Sequence, residues 1–204
     1  MLIDLATLSP NRVYHTLIQS IIPRPIAWVL TANAADGHNY NLAPFSYFNA
    51  VCSDPPLLML SIGRKPDGSD KDTRRNIRER KHFVVHLPHA AQAELVNASS
   101  APLPAGASEP EHLGLALTPF GDFPLPRVRD CRAAFACELH QLMEVGEQAV
   151  LFGLVRAVYL DDEVVSGEAQ GRLRVDPVKL DPLSRLGGDH YGTLGELLTL
   201  PRPR

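Results

Sequence analysis

Cys131-Arg132-Ala133-Ala134-Phe135-Ala136-Cys137-Glu138-Leu139-His140-Gln141-Leu142-Met143-Glu144-Val145 is the stretch whose reading decides the fold class. Its odd positions Cys131, Ala133, Phe135, Cys137, Leu139, Met143 and Val145 are apolar, with Arg132, Glu138, His140 and Glu144 between them. A period of two predicts a half-buried strand with the odd residues inward. Gly146-Glu147 reads as a turn, Ala149 to Leu160 as a second long strand, and Asp161-Asp162-Glu163 as a further turn into Val164-Val165. Strands joined by such short turns pair antiparallel. Few helices and closely spaced strands then predict an all-β dominated fold. A closed or nearly closed barrel is the economical architecture, because closure removes exposed sheet edges.

The reading extends outward to the N-terminus. Ser9-Pro10-Asn11-Arg12 predicts a short turn or helix with Ser9 as cap and Pro10 in its first turn. Pro23 and Pro25 forbid helix, and the run after Pro25 reads as a strand through Thr31. Asn33 to Gly37 reads as a turn on its Asp36-Gly37 pair. Asn41 to Ser46 is strand-like, and Leu57 to Ile62, following Asp54-Pro55-Pro56, predicts a strand buried on both faces. Gly63 to Ser69 is a loop, and Asp72 to Arg80 has helical character with Asp70 or Asp72 as cap. His82 to Leu87 predicts a strand and Ala90 to Ala98 a helix. Ser99 to Glu111 is a Pro/Ala/Ser loop expected to be the most mobile segment. With no repeat or composition break, residues 1–204 read as one domain.

Composition bounds the function. The chain has 204 residues, 45% hydrophobic and 21% charged, enough to bury a core without metals or disulfides. A net charge of −3 argues against a phosphate-seeking surface and hence against nucleic acid. Cys52, Cys131 and Cys137 form no CxxC pair, the first residues carry no signal-peptide pattern, and the apolar runs are too short to span a bilayer. The expectation is a cytoplasmic protein without membrane segments.

Several chemistries find no pattern here. GxGxxG, GxxxxGK[ST] and GxSxG are all missing from the sequence. His82, His86 and His89 sit on strand-like sequence, where their spacing does not converge, so no metal site is expected. Cys52 reads as a small buried hydrophobe rather than a reactive thiol.

Two constellations remain. Ser61 to Ile77 runs strand, loop, helix start, with Lys71, Asp72 and Thr73 at a helix N-terminus whose free N–H groups suit an anion. Two readings stay open at this point: a phosphate pocket, or a solvated basic helix with Arg74, Arg78 and Lys81 on one face. In Asn41-Leu42-Ala43-Pro44-Phe45-Ser46, Ala43 and Ser46 let a flat ligand approach the backbone, while Asn41 and Ser46 supply donors. The same segment also reads as a strand with a proline kink.

Taken in order, Arg24-Pro25-Ile26-Ala27-Trp28-Val29, Asn41-x-Ala43-Pro44-x-Ser46-x-Phe48, Asp54-Pro55-Pro56, Lys71-Asp72-Thr73-x-x-Asn76-Ile77, Phe83-Val84-Val85 and the tail Pro182-Leu183-x-Arg185-Leu186-Gly187-Gly188-x-x-Tyr191 resemble the flavin reductase-like family of FMN-binding split barrels. The resemblance implies a Greek-key split β-barrel, a homodimer, and residues 178–204 as a tail packing at the dimer interface. It implies that Lys71 and Thr73, with Asp72 and Asn76 beside them, hold the FMN phosphate. Asn41, Ala43, Pro44 and Ser46 would line the ring and ribityl chain, Ser61 and Gly63 would face the isoalloxazine, and Arg24 and Pro25 would lie near the ring. Arg185 and Tyr191 would approach from the tail or the partner subunit. The implied reaction is hydride transfer from NAD(P)H to FMN, or to FAD as substrate, with no catalytic acid or base. The reduced flavin would serve a monooxygenase. The alternative is a tightly FMN-bound carrier passing electrons to an acceptor protein.

Overall fold

The computed structural model describes residues 1–35, 38–104, 106–201 and 203, so the Asp36-Gly37 tip of the expected turn lies outside the described residues. Seven strands carry the architecture: β1 (Ala27–Ala32), β2 (Tyr40–Phe45), β3 (Phe48–Ser53), β4 (Pro56–Ile62), β5 (His82–Leu87), β6 (Ala133–Val145) and β7 (Gln148–Leu160). All their pairings are antiparallel, in the order β2-β1-β5-β6-β7-β4-β3.

The two ends of that order, β2 and β3, are consecutive in the chain and separated only by Ser46 and Tyr47. In a flat sheet they would lie about 29 Å apart, whereas the steps from Phe45 to Phe48 reach about 11 Å. The sheet therefore curls until its edges meet at the Ser46-Tyr47 link, where the Ser61 N–H donates to the Tyr47 carbonyl at 2.9 Å and extends the β3–β4 ladder by one step. The ladder is not continued between β2 and β3. That gap is the split of a split β-barrel.

Inside the barrel, Ala27, Val29, Phe45, Leu60, Ile62, Phe83, Val85, Cys137 and Leu151 pack together. The helix α2 (Asp72–Arg80) adds Ile77 to this cluster. Trp28, Leu30, Leu42, Val84, Ala134 and Ala136 form a second cluster, covered by Val96, Phe120, Leu125 and Val128. Strand β1 is consequently buried on both faces, whereas β4 buries only Leu58, Leu60 and Ile62, correcting the two-faced burial expected there.

The alternation in β6 also needs correction. The β6–β7 register steps from Gln141↔Phe152 to Leu139↔Gly153 and leaves His140 without an opposite residue. This bulge shifts the phase, because each added residue flips the side chains that follow. Leu142 packs against the interior cluster, while Met143 and Val145, expected inside, are 45% and 55% exposed.

Other elements differ in smaller ways. The helix α1 (Pro10–Ser20) is longer than expected, with Ser9 capping the Arg12 N–H. The expected Ala90 to Ala98 helix divides into a 3₁₀ turn, Ala90–Gln92, and α3 (Ala93–Ala98). The N-cap of α2 is Lys71, not Asp70 or Asp72. Arg74 is fully buried and ion-paired to Asp70 and Glu144, so the solvated basic face does not exist as expected. Cys52 is exposed, not buried. In the tail, Leu183 is buried and its N–H donates to the Pro88 carbonyl, so that residue has its place on its own barrel. Leu194, Leu197, Leu198 and Leu200 stay exposed.

Candidate functional site

Two adjoining compartments open along the split. The first, of about 550 Å³, is lined by Pro44, Phe45, Ser46, Ser61, Gly63 and Lys71, with Tyr14, Tyr47, Gln148, Arg185 and Tyr191 around it. The second, of about 590 Å³, takes in Asn41, Ala43, Lys71, Asp72 and Thr73 and runs out along residues 99–104, 106 and 107. Pro44, Phe45, Lys65, Lys71 and Ser100 border both and form the neck between them. Nine of the expected ligands thus meet in one groove, and Arg185 and Tyr191 reach it from the same chain's tail.

The groove follows from local structure. Gly63 ends β4 opposite Gln148, since the register pairs Ile62 with Ala149. A Cβ on Gly63 would stand 3.1 Å from the Gln148 amide, a contact that leaves a side chain little room. Ser61 Oγ donates to Gln148 Oε1 at 3.3 Å, fixing that wall.

Lys71 stands at the start of α2 with its ammonium 5.6 Å from the Phe45 ring centroid. Burial lowers its pKa, the direction expected of a cation drawn out of water. Lys71 makes no side-chain cap bond, so among the described residues the N-cap side chain leaves the first-turn N–H groups of α2 uncapped. Asp72 is different: burial raises its pKa, but bonds from Lys65 at 2.8 Å and from Arg75 outweigh this and hold it low. It is a paired carboxylate at the groove wall.

Thr73 and Asn41 join a polar network beneath the groove. Asn41 Nδ2 donates to Thr73 Oγ1 at 2.8 Å, Asn76 Nδ2 donates to Thr31 Oγ1 and Asn33 Oδ1 at 3.0 Å each, and Arg80 donates to Asn76 Oδ1 at 3.1 Å. Asn76 is fully buried in this network and borders neither compartment, so it stands behind the site. Arg24 also acts from behind. Its guanidinium donates to Ser46 Oγ at 3.3 Å, the Ile21 carbonyl at 2.7 Å and the Leu186 carbonyl at 3.0 Å, tying α1 and the tail to the lip. Pro25 is exposed beside it and borders neither compartment.

Sequence reasoning missed Tyr14, Tyr47, Lys65, Ser100 and Gln148. Gln148 was accessible in principle, from pairing β7 against β4. Tyr14 carried no such signal, because nothing local shows which barrel face α1 crosses. His86, by contrast, is structural: its Nδ1 donates to the Trp28 carbonyl, its Nε2 accepts from the Val128 N–H, and burial pushes its pKa down to about 4. Among the described residues no cluster of metal-ligating side chains is found, and no helix is long and apolar enough to cross a membrane.

Residues 19–175 match the flavin reductase like domain. The chain belongs to that family. Similar relatives include BH2278 of Halalkalibacterium halodurans, 39% identical over 97% of this chain and 94% of the relative, and YwrF of Bacillus subtilis, 38% identical over 96% of each. Among solved structures it is similar to nitrilotriacetate monooxygenase component B from Bacillus cereus, with 32% identity, TM-score 0.89 and 98% of both chains covered. It is also similar to the 2-nitrobenzoate 2-nitroreductase NbaA from Pseudomonas fluorescens, with 30% identity, TM-score 0.87 and coverage of 100% and 96%. In this flavin reductase-like chain the groove therefore lies on a flavin-binding fold.

Proposed function

We propose that this chain is an FMN-binding flavin reductase that carries hydride from NADH or NADPH to flavin and supplies a separate monooxygenase. The observation that carries the reading is Lys71, an ammonium at the neck of the groove, beside first-turn N–H groups with no side-chain cap. A phosphate monoester needs that set of donors. The residues present fit FMN. When bound, the flavin supplies the redox chemistry, so the protein has only to bind and orient.

In that role Lys71 and the α2 N-terminus hold the phosphate, and Thr73 borders it while anchored by Asn41. Gly63 keeps the β4 end clear of side chain, so a flat ring can lie against backbone. Ser46, held by Arg24, and Gln148, bonded to Ser61, offer hydrogen bonds to the ring edge. Tyr14, Tyr47 and Tyr191 wall the first compartment and limit water. Burial raises the Tyr47 pKa, aided by neighbouring Tyr14, which keeps its phenol protonated as a donor.

The likeness to NbaA supports a second reading, in which bound flavin delivers electrons to a small organic acceptor. A homodimer belongs to the proposal. In one chain α1 buries no residue, edge strand β3 exposes Asn49 to Ser53, and Ile21, Ile22, Val51 and Leu197 are open to solvent. The three unpaired cysteines fit a reducing, cytoplasmic setting. Steady-state oxidation of NADH and NADPH with free FMN, then free FAD, tests the reading: turnover that needs added flavin is expected, and none with either nucleotide would refute it.

A further inference from the structure

Four carboxylates border the two compartments, which conflicts with a groove that receives an anion. Each is engaged elsewhere. Glu147 stands 3.5 Å from the Arg64 guanidinium, and Asp67 accepts from the Ser69 N–H at 2.9 Å and from its hydroxyl at 2.6 Å. Glu109 accepts from the Leu42 N–H at 2.9 Å. Asp72 gives one oxygen to Lys65 at 2.8 Å and the other to Arg75.

Lys71 lies between Asp70 and Asp72 in the chain, and both of these acids are paired away from it. Three guanidiniums hold Asp70: Arg78 at 2.7 Å, Arg64 at 3.0 Å, and Arg74 at 3.1 Å in an ion contact without hydrogen-bond alignment. Arg74 and Arg78 close the ring through Glu144, at 2.5 and 2.8 Å. Among the described residues Lys71 is left without a carboxylate partner and faces the Phe45 ring. A cation drawn from water without a partner is costly, so this ammonium stands ready for an anion from outside. An acid in the first turn suits the helix dipole. Left unpaired beside Lys71, Asp72 would instead neutralise the ammonium and repel a phosphate that carries about −1.5 to −2 charge.

We infer that Lys65 and Arg75 are positioning residues: they hold the Asp72 carboxylate off Lys71 and so keep that ammonium open for the flavin's phosphate. Arg75 borders neither compartment, so it acts only through Asp72. Lys65 borders both, yet its ammonium is engaged by Asp72. The inference rests on the flavin reading above and adds the residues that set the site's affinity for an anion.

Flavin-fluorescence titrations of FMN and riboflavin test it. Lys65→Met and Arg75→Met should each weaken FMN about three- to tenfold and leave riboflavin within about twofold, because a freed Asp72 competes for Lys71. Adding Asp72→Asn to either variant should return FMN to within about twofold of wild type, since no anion is then left to compete. The two side chains are 33% and 38% exposed and leave from different elements, a loop and α2, so the test does not hang on one variant's folding. A loss that persists in the double variants would make Lys65 a direct phosphate ligand, or Arg75 a purely structural residue, and would overturn the inference. So would single variants that bind FMN as wild type does, or that lose riboflavin equally. Failure of the wild-type chain to bind FMN at all would instead defeat the flavin reading itself, and this inference with it.

Discussion

Asn41 Nδ2 donates to Thr73 Oγ1 across 2.8 Å, joining a barrel strand to the first turn of α2. Both residues are buried, and through Thr31 and Asn33 the contact continues to Asn76 and Arg80. The groove's helix terminus is therefore held by hydrogen bonds from beneath, while its upper side is left to the ligand.

Asn76→Ala should be destabilising, since it leaves the Asn33 and Thr31 side chains and the Arg80 guanidinium short of a buried partner. An orphaned buried polar group costs about 1–3 kcal/mol. Urea unfolding should show a lower midpoint with an unchanged slope. An unchanged midpoint would mean that the network is not holding the helix.

Lys71→Ala should weaken FMN about ten- to a hundredfold, because a charge-assisted hydrogen bond contributes on the order of 1.5–3 kcal/mol. Riboflavin, lacking the phosphate, should scarcely change. Arg78→Ala serves as control, since Arg78 pairs with Asp70 and Glu144 and borders neither compartment. Equal weakening of FMN and riboflavin would move the phosphate elsewhere.

Legibility in the sequence tracks how local the cause is. The helix Asp72–Arg80 and strand His82–Leu87 match their expected bounds because loop, charge pattern and Pro88 delimit them. The inward set of β6 is misread after Leu139, because a bulge at His140 depends on the partner strand. Burial of Arg74 is likewise invisible locally, since it depends on Glu144 arriving from the far end of β6. Residues that touch the groove through backbone or charge, such as Gly63 and Lys71, are legible from motif. Asn76 and Arg24 lie in the right motifs but behind the site, a distinction set by which way the fold turns them.

His86 makes stability depend on pH. Burial first, opposed by its bond to the Trp28 carbonyl, lowers its pKa to about 4 from an ordinary 6.5. Below about pH 6.5 the unfolded chain binds a proton that the folded chain refuses, so stability is lost as pH falls toward 4. Between pH 7 and pH 5 the loss from this group is about 2 kcal/mol. Urea unfolding of wild type and His86→Gln at both pH values should show the variant less stable but lacking that increment. An identical increment in the variant would exclude His86 as its source.

Sedimentation velocity at micromolar concentration should give a dimer, with Val51→Glu, on the exposed edge strand, shifting it toward monomer. A monomeric wild type would remove the assembly from the account.

The most direct test of the central claim mixes a small amount of the protein, without oxygen, with excess FMN and NADH or NADPH, and follows the flavin's visible absorbance. Multiple-turnover bleaching, lost in proportion to FMN affinity when Lys71 is replaced, is the predicted result. Absorbance that stays constant with both nucleotides, in a protein that demonstrably binds FMN, would contradict it.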